Sequence, residues 1–220
     1  TIACLRQFGA EVQETASGYR IPGGQKLHAC DQTVEGDYSQ AAFFFVANVL
    51  GSTIELTNLN PKSVQGDKKI VEITEQMCYN LKEGLPACFS VDASDIPDLV
   101  PILAVLATFG TAPSRITGAH RLAIKESDRL SSTAAMLNAL GGDVTATEDG
   151  LEIRPVSELH GGTVDSCGDH RIAMCAAVAA TRCTGAVTIL HGECVEKSYP
   201  QFYEDYRQLG GNAHVIVLES

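Results

Sequence analysis

One short segment of this chain, residues 121–129, concentrates basic and acidic side chains. It reads Arg-Leu-Ala-Ile-Lys-Glu-Ser-Asp-Arg, so that Lys125 and Arg129 are four residues apart with two acidic residues between them. Two interpretations remain open. Either this is a solvated helix start held by charge pairs, or it is an anion site with an acid/base beside it. In the second case we expect Ser127 to cap the helix, so that free backbone N–H groups also face the anion.

Two further segments place a basic residue near a helix start. Asp169, His170 and Arg171 lead directly into an apolar stretch. An arginine in the first turn of such a helix either pairs with Asp169 or binds a phosphate or carboxylate, to which its planar guanidinium is well suited. Lys197 lies between a predicted strand and a helix that begins with proline. By itself it is typical of a solvated loop lysine.

Two acidic positions have simple structural interpretations. Asp98 follows an Ile-Pro pair and begins an apolar stretch, so an N-cap role is sufficient to explain it. The tripeptide Gln65-Gly66-Asp67 is interpreted in the same way, as a tight turn before a capped helix.

The elements that must position these residues form a repeat. Three long apolar segments each begin with Asp, a helix-capping residue, and end near Gly, which can close a helix in the left-handed conformation. They cover residues 37–51, 98–110 and 169–185. Past the first turn they are nearly apolar all round, which is typical of helices buried on every side.

Each apolar helix is followed by a strand, a more amphipathic helix and a second strand, three times over. The first strands are expected at 53–57, 114–117 and 186–190. The amphipathic helices start near Asp67, Ser127 and Pro200, and the second carries a helical stripe of Leu130, Ala134, Leu137 and Leu140. The closing strands are expected at 87–91, 151–154 and 213–218.

This pattern predicts an inside-out, barrel-like α/β domain, because its helices are expected to be more deeply buried than its strands. Buried parallel helices would fill the middle, with sheets around them. Parallel packing would bring Asp37, Asp98 and Asp169 to one end, where each helix N-terminus adds about half a positive charge. Arg129, Arg171 and Lys197 can reach that same end. The mouth so formed favours a small, multiply charged anion.

Composition narrows the class of protein. The formal net charge of −11 argues against nucleic acid as a partner. No apolar run reaches the roughly 18 residues needed to span a bilayer, and we expect no membrane association. The eight cysteines include no C-x-x-C pair and lie mostly in apolar runs, so we expect small buried thiols and a reducing cytoplasm rather than disulfides or zinc.

Residues 1–36 do not fit the repeat. A helix over 1–12 and a strand over 18–22 are the second half of one more unit. Because the chain also begins at Thr1 rather than Met, we interpret 1–36 as the tail of a truncated preceding domain. Residues 37–220 are then the second domain.

Six motifs in order over the whole chain resemble the EPSP synthase branch of the enolpyruvyl transferase family. They are V-E-G-D-x-S, Q-G-D, D-I-P-D, I-K-E-S-D-R-L, G-D-H-R-I-A-M and E-K-S-Y-P. The resemblance implies a two-domain monomer of about twice this length. It implies transfer of the enolpyruvyl group of phosphoenolpyruvate to the 5-hydroxyl of shikimate 3-phosphate, with no metal and no organic cofactor. It also implies that the missing N-terminal half carries the rest of the site, so that this chain is inactive alone.

Motif positions then suggest roles. The resemblance makes Arg129, Arg171 and Lys197 the phosphoenolpyruvate-binding cations. It makes Asp98 and Glu126 the acid/base carboxylates, and it places Lys125 near the reacting hydroxyl, with Asp98 and Lys125 also contacting shikimate 3-phosphate.

One position departs from the family pattern, because Arg121 stands where relatives often have Asn or Glu.

Two alternative functions remain open: an enzyme that adds enolpyruvate to UDP-N-acetylglucosamine, and a non-catalytic anion-binding domain. K-E-S-D-R speaks against the first.

Overall fold

The computed structural model describes residues 1–216, which divide into two units, Thr1–Glu35 and the chain from Gly36 onward. The first unit contains helix α1 (Ile2–Gln7) and an antiparallel hairpin of β1 (Gln13–Thr15) and β2 (Gly18–Arg20). Helix α1 is shorter than predicted, because the backbone N–H groups of Phe8 and Gly9 close its last turn. Strand β2 begins at the predicted residue and pairs with β1, which was not predicted.

The second unit contains six helices and six strands within the described residues. The helices are α2 (Tyr38–Val49), α3 (Lys69–Glu83), α4 (Val100–Thr108), α5 (Arg129–Ala139), α6 (His170–Ala180) and α7 (Phe202–Gln208). The strands are β3 (Ser90–Asp92), β4 (Ser114–Thr117), β5 (Asp143–Thr147), β6 (Gly150–Arg154), β7 (Gly162–Asp165) and β8 (Val187–Leu190). Short 3-10 turns at Gly66–Lys68, Pro97–Leu99, His120–Ile124 and Gly192–Lys197 precede α3, α4, α5 and α7.

Helices α2, α4 and α6 pack against one another in the middle of this unit. Every residue of α4 is buried, and so is every residue of α6 except Ala180. This agrees with the sequence, since a helix that is apolar all round has no face to give to water. The prediction of buried helices is confirmed, although α6 ends before the predicted 185.

The sheets have one dry face and one wet face, as the alternating sequences predict. Strand β3 runs parallel to β4, which continues through antiparallel pairs in the order β3-β4-β6-β5. Its register puts Ile116 opposite Leu151 and Val144 opposite Ile153, and all four are buried. A second sheet pairs β7 and β8 in parallel. The described strands thus form separate sheets around buried helices, which is the predicted inside-out α/β arrangement without a closed barrel.

Two predicted strands are not strands within the described part of the chain. Residues 53–57 have the expected alternation of exposure but form no ladder. Instead, the side-chain amide of Asn48 bonds both backbone groups of Ile54, at 2.8 and 2.7 Å. Residues 213–216 are also irregular, and the remainder of the predicted 213–218 strand lies outside the described residues. Strands β5 and β7 were not predicted, and β3 begins three residues later than expected.

The prediction that most cysteines are buried is wrong. Cys175 is buried, three cysteines are intermediate, and four are exposed: Cys4, Cys30, Cys78 and Cys167. Neighbouring apolar residues did not indicate which face of the local structure each thiol occupies. Within residues 1–216, no helix combines the length and apolarity needed to cross a bilayer.

Candidate active site

A group of charged side chains, which we call the helix-mouth cluster, lies around the N-terminal ends of the buried helices α4 and α6. It contains four cations and three carboxylates: Lys125, Arg129, Arg171, Lys197, Asp98, Glu126 and Asp169. Asp98 lies in the 3-10 turn before α4, Arg129 is the first residue of α5, and Arg171 is in the first turn of α6. Residues far apart in sequence therefore meet at one end of the domain.

Arg129 is the centre of the cluster. Its Nε donates to Asp169 Oδ2 at 2.7 Å, its Nη1 to Asp98 Oδ1 at 2.8 Å, and its Nη2 to Glu126 Oε2 at 2.5 Å. Only 2% of its side chain is exposed. Of the two interpretations of this segment, the solvated helix start is wrong for Arg129, which is held by three carboxylates in the interior.

Burial and pairing act on Arg129 in opposite directions. Burial alone would lower the pKa of its guanidinium, but the hydrogen bond and charge of Asp169, with the charges of Glu126 and Asp98, raise the pKa above its ordinary value. Arg129 is therefore a permanent buried cation. A charge of this kind is costly unless its partners remain in place.

Arg171 binds Asp98 from the other side. Its Nη2 donates to Asp98 Oδ2 at 3.0 Å and its Nη1 to the Asp98 carbonyl at 3.3 Å. The guanidinium does not pair with Asp169, which was the structural interpretation from sequence. Its Nε is buried and has no hydrogen-bond partner within the described residues. Asp98 is thus held between two arginines, and it does not act as a side-chain N-cap.

The two lysines lie at the edge of the cluster. Lys197 Nζ donates to Glu126 Oε1 at 2.9 Å, so it is paired rather than simply solvated. The hydrogen bond from Lys197, helped by the charge of Arg129, lowers the pKa of Glu126 to about 2, although burial opposes this. Lys125 Nζ is 4.0 Å from Asp98 Oδ1. Lys197 is 56% exposed and Lys125 is 40% exposed, so both can reach a bound molecule.

Asp169 completes the interior of the cluster and was recognised from sequence only as a cap. It does cap α6, since it accepts the Arg171 N–H at 2.9 Å, but it also accepts from Arg129 and from Ser127 Oγ. Asp128, not Ser127, caps α5. The prediction of a Ser127 cap is therefore wrong by one residue, because the longer Asp side chain reaches the free N–H of Ser131.

His170 lies beside the cluster; its Nδ1 is buried, has no hydrogen-bond partner within the described residues, and is 3.9 Å from Asp169 Oδ1. Burial and the nearby charge of Arg171 lower its pKa, so the imidazole is neutral at pH 7. Arg121, the departure from the family pattern, donates to the Ser94 carbonyl at 2.9 Å and is exposed. The burial of His170 and the contact of Arg121 with Ser94 were not predicted from the sequence.

The arrangement suits a ligand with more than one negative charge. Each of the four cations is already paired with a carboxylate in the described structure, so an incoming anion shares cations with groups that can accept or return protons. Helix N-termini add positive potential at the same place. The fold and the cluster together define an inside-out α/β domain in which paired cations and carboxylates, a candidate site for an anion, lie at the N-terminal ends of buried helices.

Comparisons with known proteins agree with this class. Residues 1–206 match the family EPSP synthase (3-phosphoshikimate 1-carboxyvinyltransferase), and the chain belongs to that family. A 3-phosphoshikimate 1-carboxyvinyltransferase of Clostridium acetobutylicum is 46% identical over 222 residues, covering 97% of this chain and 52% of that protein. The chain therefore spans about half the length of the curated relatives it matches.

Solved structures give the same result for the fold. An EPSP synthase of Acinetobacter baumannii superposes with a TM-score of 0.78 at 28% identity, covering 94% of this chain and 53% of that chain. The enolpyruvyl transferase NikO of Streptomyces tendae superposes with a TM-score of 0.62 at 19% identity, covering 96% and 52%. The second likeness concerns the fold alone.

Proposed function

We propose that this chain supplies its part of an active site that moves the enolpyruvyl group of phosphoenolpyruvate to the 5-hydroxyl of shikimate 3-phosphate. The observation that carries the proposal is convergence: Asp98, Glu126, Arg129, Arg171 and Lys197 share one cluster although they are up to 99 residues apart in sequence. The names of the matched relatives support the same reaction. The other half of such a site would come from a preceding domain. Residues 1–36 would be the tail of that domain, and residues 37–220 would form the second domain of the enzyme.

Binding of phosphoenolpyruvate falls to the cations. Its carboxylate and phosphate would form ion pairs with Arg129, Arg171 and Lys197. The Nε of Arg171, which has no hydrogen-bond partner in the described structure, offers one further donor. Charge-assisted hydrogen bonds contribute about 1.5–3 kcal/mol each. Losing Arg171 should therefore weaken phosphoenolpyruvate binding by roughly one to two orders of magnitude.

The reaction needs proton transfers that the carboxylates can perform. In the addition step a base takes the 5-hydroxyl proton, the oxygen bonds to C2 of phosphoenolpyruvate, and C3 gains a proton. In the elimination step C3 loses a proton, the C2–O bond to phosphate breaks, and inorganic phosphate leaves. We assign these transfers to Asp98 and Glu126, and we assign Lys125, whose Nζ lies 4.0 Å from Asp98 Oδ1, to the shikimate hydroxyl.

Glu126 would change role when the substrate binds. In the free chain it is ionised at neutral pH, since its contact with Lys197 keeps its pKa at about 2. If the substrate takes the Lys197 ammonium, Glu126 loses its largest stabilising contact and its pKa rises. The carboxyl can then carry a proton between reaction steps, which is what a general acid/base requires.

The test combines the chain with the separately expressed N-terminal half of the Clostridium acetobutylicum relative. We expect phosphate release from phosphoenolpyruvate with shikimate 3-phosphate, and none from either half alone. Arg171→Ala should abolish most of this release, whereas Arg115→Ala, at an exposed surface pair, should leave it nearly unchanged. Release with UDP-N-acetylglucosamine instead would assign the other transferase. A stable complex of the two halves that releases no phosphate would favour a non-catalytic anion-binding domain.

Three further features belong to the same proposal. We propose that the complete protein is a monomer, that it works in the cytoplasm, and that it needs no metal or organic cofactor. The exposed free thiols of Cys4, Cys30, Cys78 and Cys167 are compatible with a reducing compartment.

A further inference from the structure

The turn Gln65–Gly66–Asp67 is joined to the start of α2 by its side chains. The Gln65 amide donates to the carbonyl of Gly36 at 2.9 Å and accepts the N–H of Tyr38 at 2.9 Å, so it brackets the cap residue Asp37. Sequence alone suggested only a tight turn before a helix. The contacts show that this turn is fixed to one of the three helix mouths.

The same turn also touches the loop that leads to Asp98. A Cβ atom added to Gly66 would lie 2.5 Å from the carbonyl oxygen of Asp95, so the backbones meet there without room for a side chain. Asp95 is three residues before Asp98. The turn therefore connects the start of α2 with the segment that carries a proposed acid/base carboxylate.

Asp67 is the charged member of this turn, and it is buried, with 8% of its surface exposed. Its carboxylate accepts a short hydrogen bond from Ser39 Oγ. Burial raises the pKa of Asp67, and the Ser39 bond opposes that rise. Three charged groups are close enough to act on Asp67 electrostatically: Arg171 of the cluster lowers its pKa, and Asp98 of the cluster and Asp37 at the start of α2 raise it.

We propose that Asp67 is a positioning residue that fixes Asp98 and Arg171 for the reaction. Its carboxylate attracts Arg171 and repels Asp98, which favours the observed arrangement in which Asp98 turns its oxygens towards Arg129 and Arg171. Ser39 and Gly66 hold Asp67 where it exerts this effect. The inference rests on the proposed function, because it assigns a role for Asp67 in that reaction.

The test replaces Asp67 with asparagine, which keeps the shape and the capacity to accept from Ser39 but removes the charge. The matched control is Glu75→Gln, the same change of charge on the exposed face of α3. Thermal unfolding first establishes that both variants fold. In the two-half enzyme we expect Asp67→Asn to lower kcat about tenfold or more, since small misplacements of reacting groups cost up to about 100-fold. Glu75→Gln should stay within about twofold.

The pH profile separates positioning from general support of the fold. In the wild type, kcat should fall at acid pH as Asp67 gains a proton, and this step should be missing in Asp67→Asn and present in Glu75→Gln. Ser39→Ala removes the hydrogen bond that favours the ionised form, so it should move the same step to higher pH. A Ser39→Ala profile that superposes on the wild type contradicts the role of that bond.

A measurement on the 220-residue chain alone keeps this inference separate from the proposed function. The Nε–H resonance of Arg171, followed by nitrogen-15 NMR, should shift in Asp67→Asn and not in Glu75→Gln. If the two-half wild type releases phosphate but Asp67→Asn has a kcat within about twofold of it, the positioning role is overturned. If the wild type releases none, the proposed function has failed. The Arg171 resonance then decides: a shift supports the positioning role and an unmoved resonance overturns it.

Discussion

Asp37 at the start of α2 and Asp169 at the start of α6 have nearly the same local structure. Their backbone angles are φ −86°, ψ 112° and φ −100°, ψ 115°. Each accepts the backbone N–H two residues ahead, at 2.8 and 2.9 Å. As helix caps in two repeats they are equivalent.

Their surroundings differ. Asp37 is exposed, and the described contacts of its side chain are those of a cap. Asp169 is completely buried and also accepts from Arg129 and Ser127. The comparison teaches that a capped helix mouth is the common feature of the repeat, and that a site arises only where neighbouring elements add buried cations.

The largest effect should come from removing the cation that makes the difference. Arg129→Met leaves the buried carboxylate of Asp169 without its cation, and it also removes the ion pairs that Asp98 and Glu126 form with Arg129. We expect a loss of about 3–5 kcal/mol in the free energy of unfolding, measured by urea denaturation of the chain. Arg115→Met, at an exposed pair, should cost about 1 kcal/mol or less. Equal losses for the two variants would contradict the buried network.

A smaller and more direct test replaces each aspartate with asparagine. Asparagine caps helices about as well as aspartate, so Asp37→Asn should change the free energy of unfolding by less than about 0.5 kcal/mol. Asp169→Asn keeps a cap but loses the charge opposite Arg129, and we expect a loss of about 2 kcal/mol. Urea denaturation of the two variants at pH 7 measures the difference. Two indistinguishable variants would mean that the surroundings of Asp169 add little.

The smallest effect concerns the edge of the cluster and depends on pH. The folded pKa of Glu126, about 2, lies below its ordinary value of 4.5, so its contact with Lys197 stabilises the fold above about pH 4.5 and is lost as the pH falls towards 2. Lys197→Met should therefore cost less than about 1 kcal/mol at neutral pH, since Lys197 is largely exposed. That cost should shrink on acidification. Unfolding series from pH 6 to pH 3 would show this, with Lys82→Met on α3 as the control. A cost that is constant with pH would assign the stabilisation to another contact.

Much of the fold could be predicted from sequence because its strongest signal is local. The segments that became α2, α4 and α6 are nearly apolar all round past their first turn, and a helix of this kind is stable only when it is buried. Strand β4 was placed at its observed bounds, and the stripe Leu130, Ala134, Leu137 and Leu140 is buried. Residues 53–57 were misassigned because alternation reports a half-covered extended segment, whereas a strand also needs a hydrogen-bonded partner that alternation does not specify.

The candidate site residues could be named from the sequence, but their pairing could not. Motif positions brought Asp98, Glu126 and three cations together, and the structure places them in contact. Sequence could not show that Arg171 binds Asp98 rather than Asp169, because that choice depends on how α4 and α6 pack. The hydrogen bond between Ser39 and Asp67 was not predicted either, since the two residues are 28 apart and neither residue type is unusual in a turn.

The prior pairing of every cluster cation has a consequence for selectivity. A molecule entering this mouth does not neutralise vacant charge. It competes with Asp98, Glu126 and Asp169 for donors that these carboxylates already hold. A monoanion carries no more charge than the carboxylate that it displaces. A molecule with two or three negative charges can displace one carboxylate from its cation and leave the other ion pairs in place. Such a surface therefore selects molecules by their number of negative charges, and a single negative charge is not sufficient.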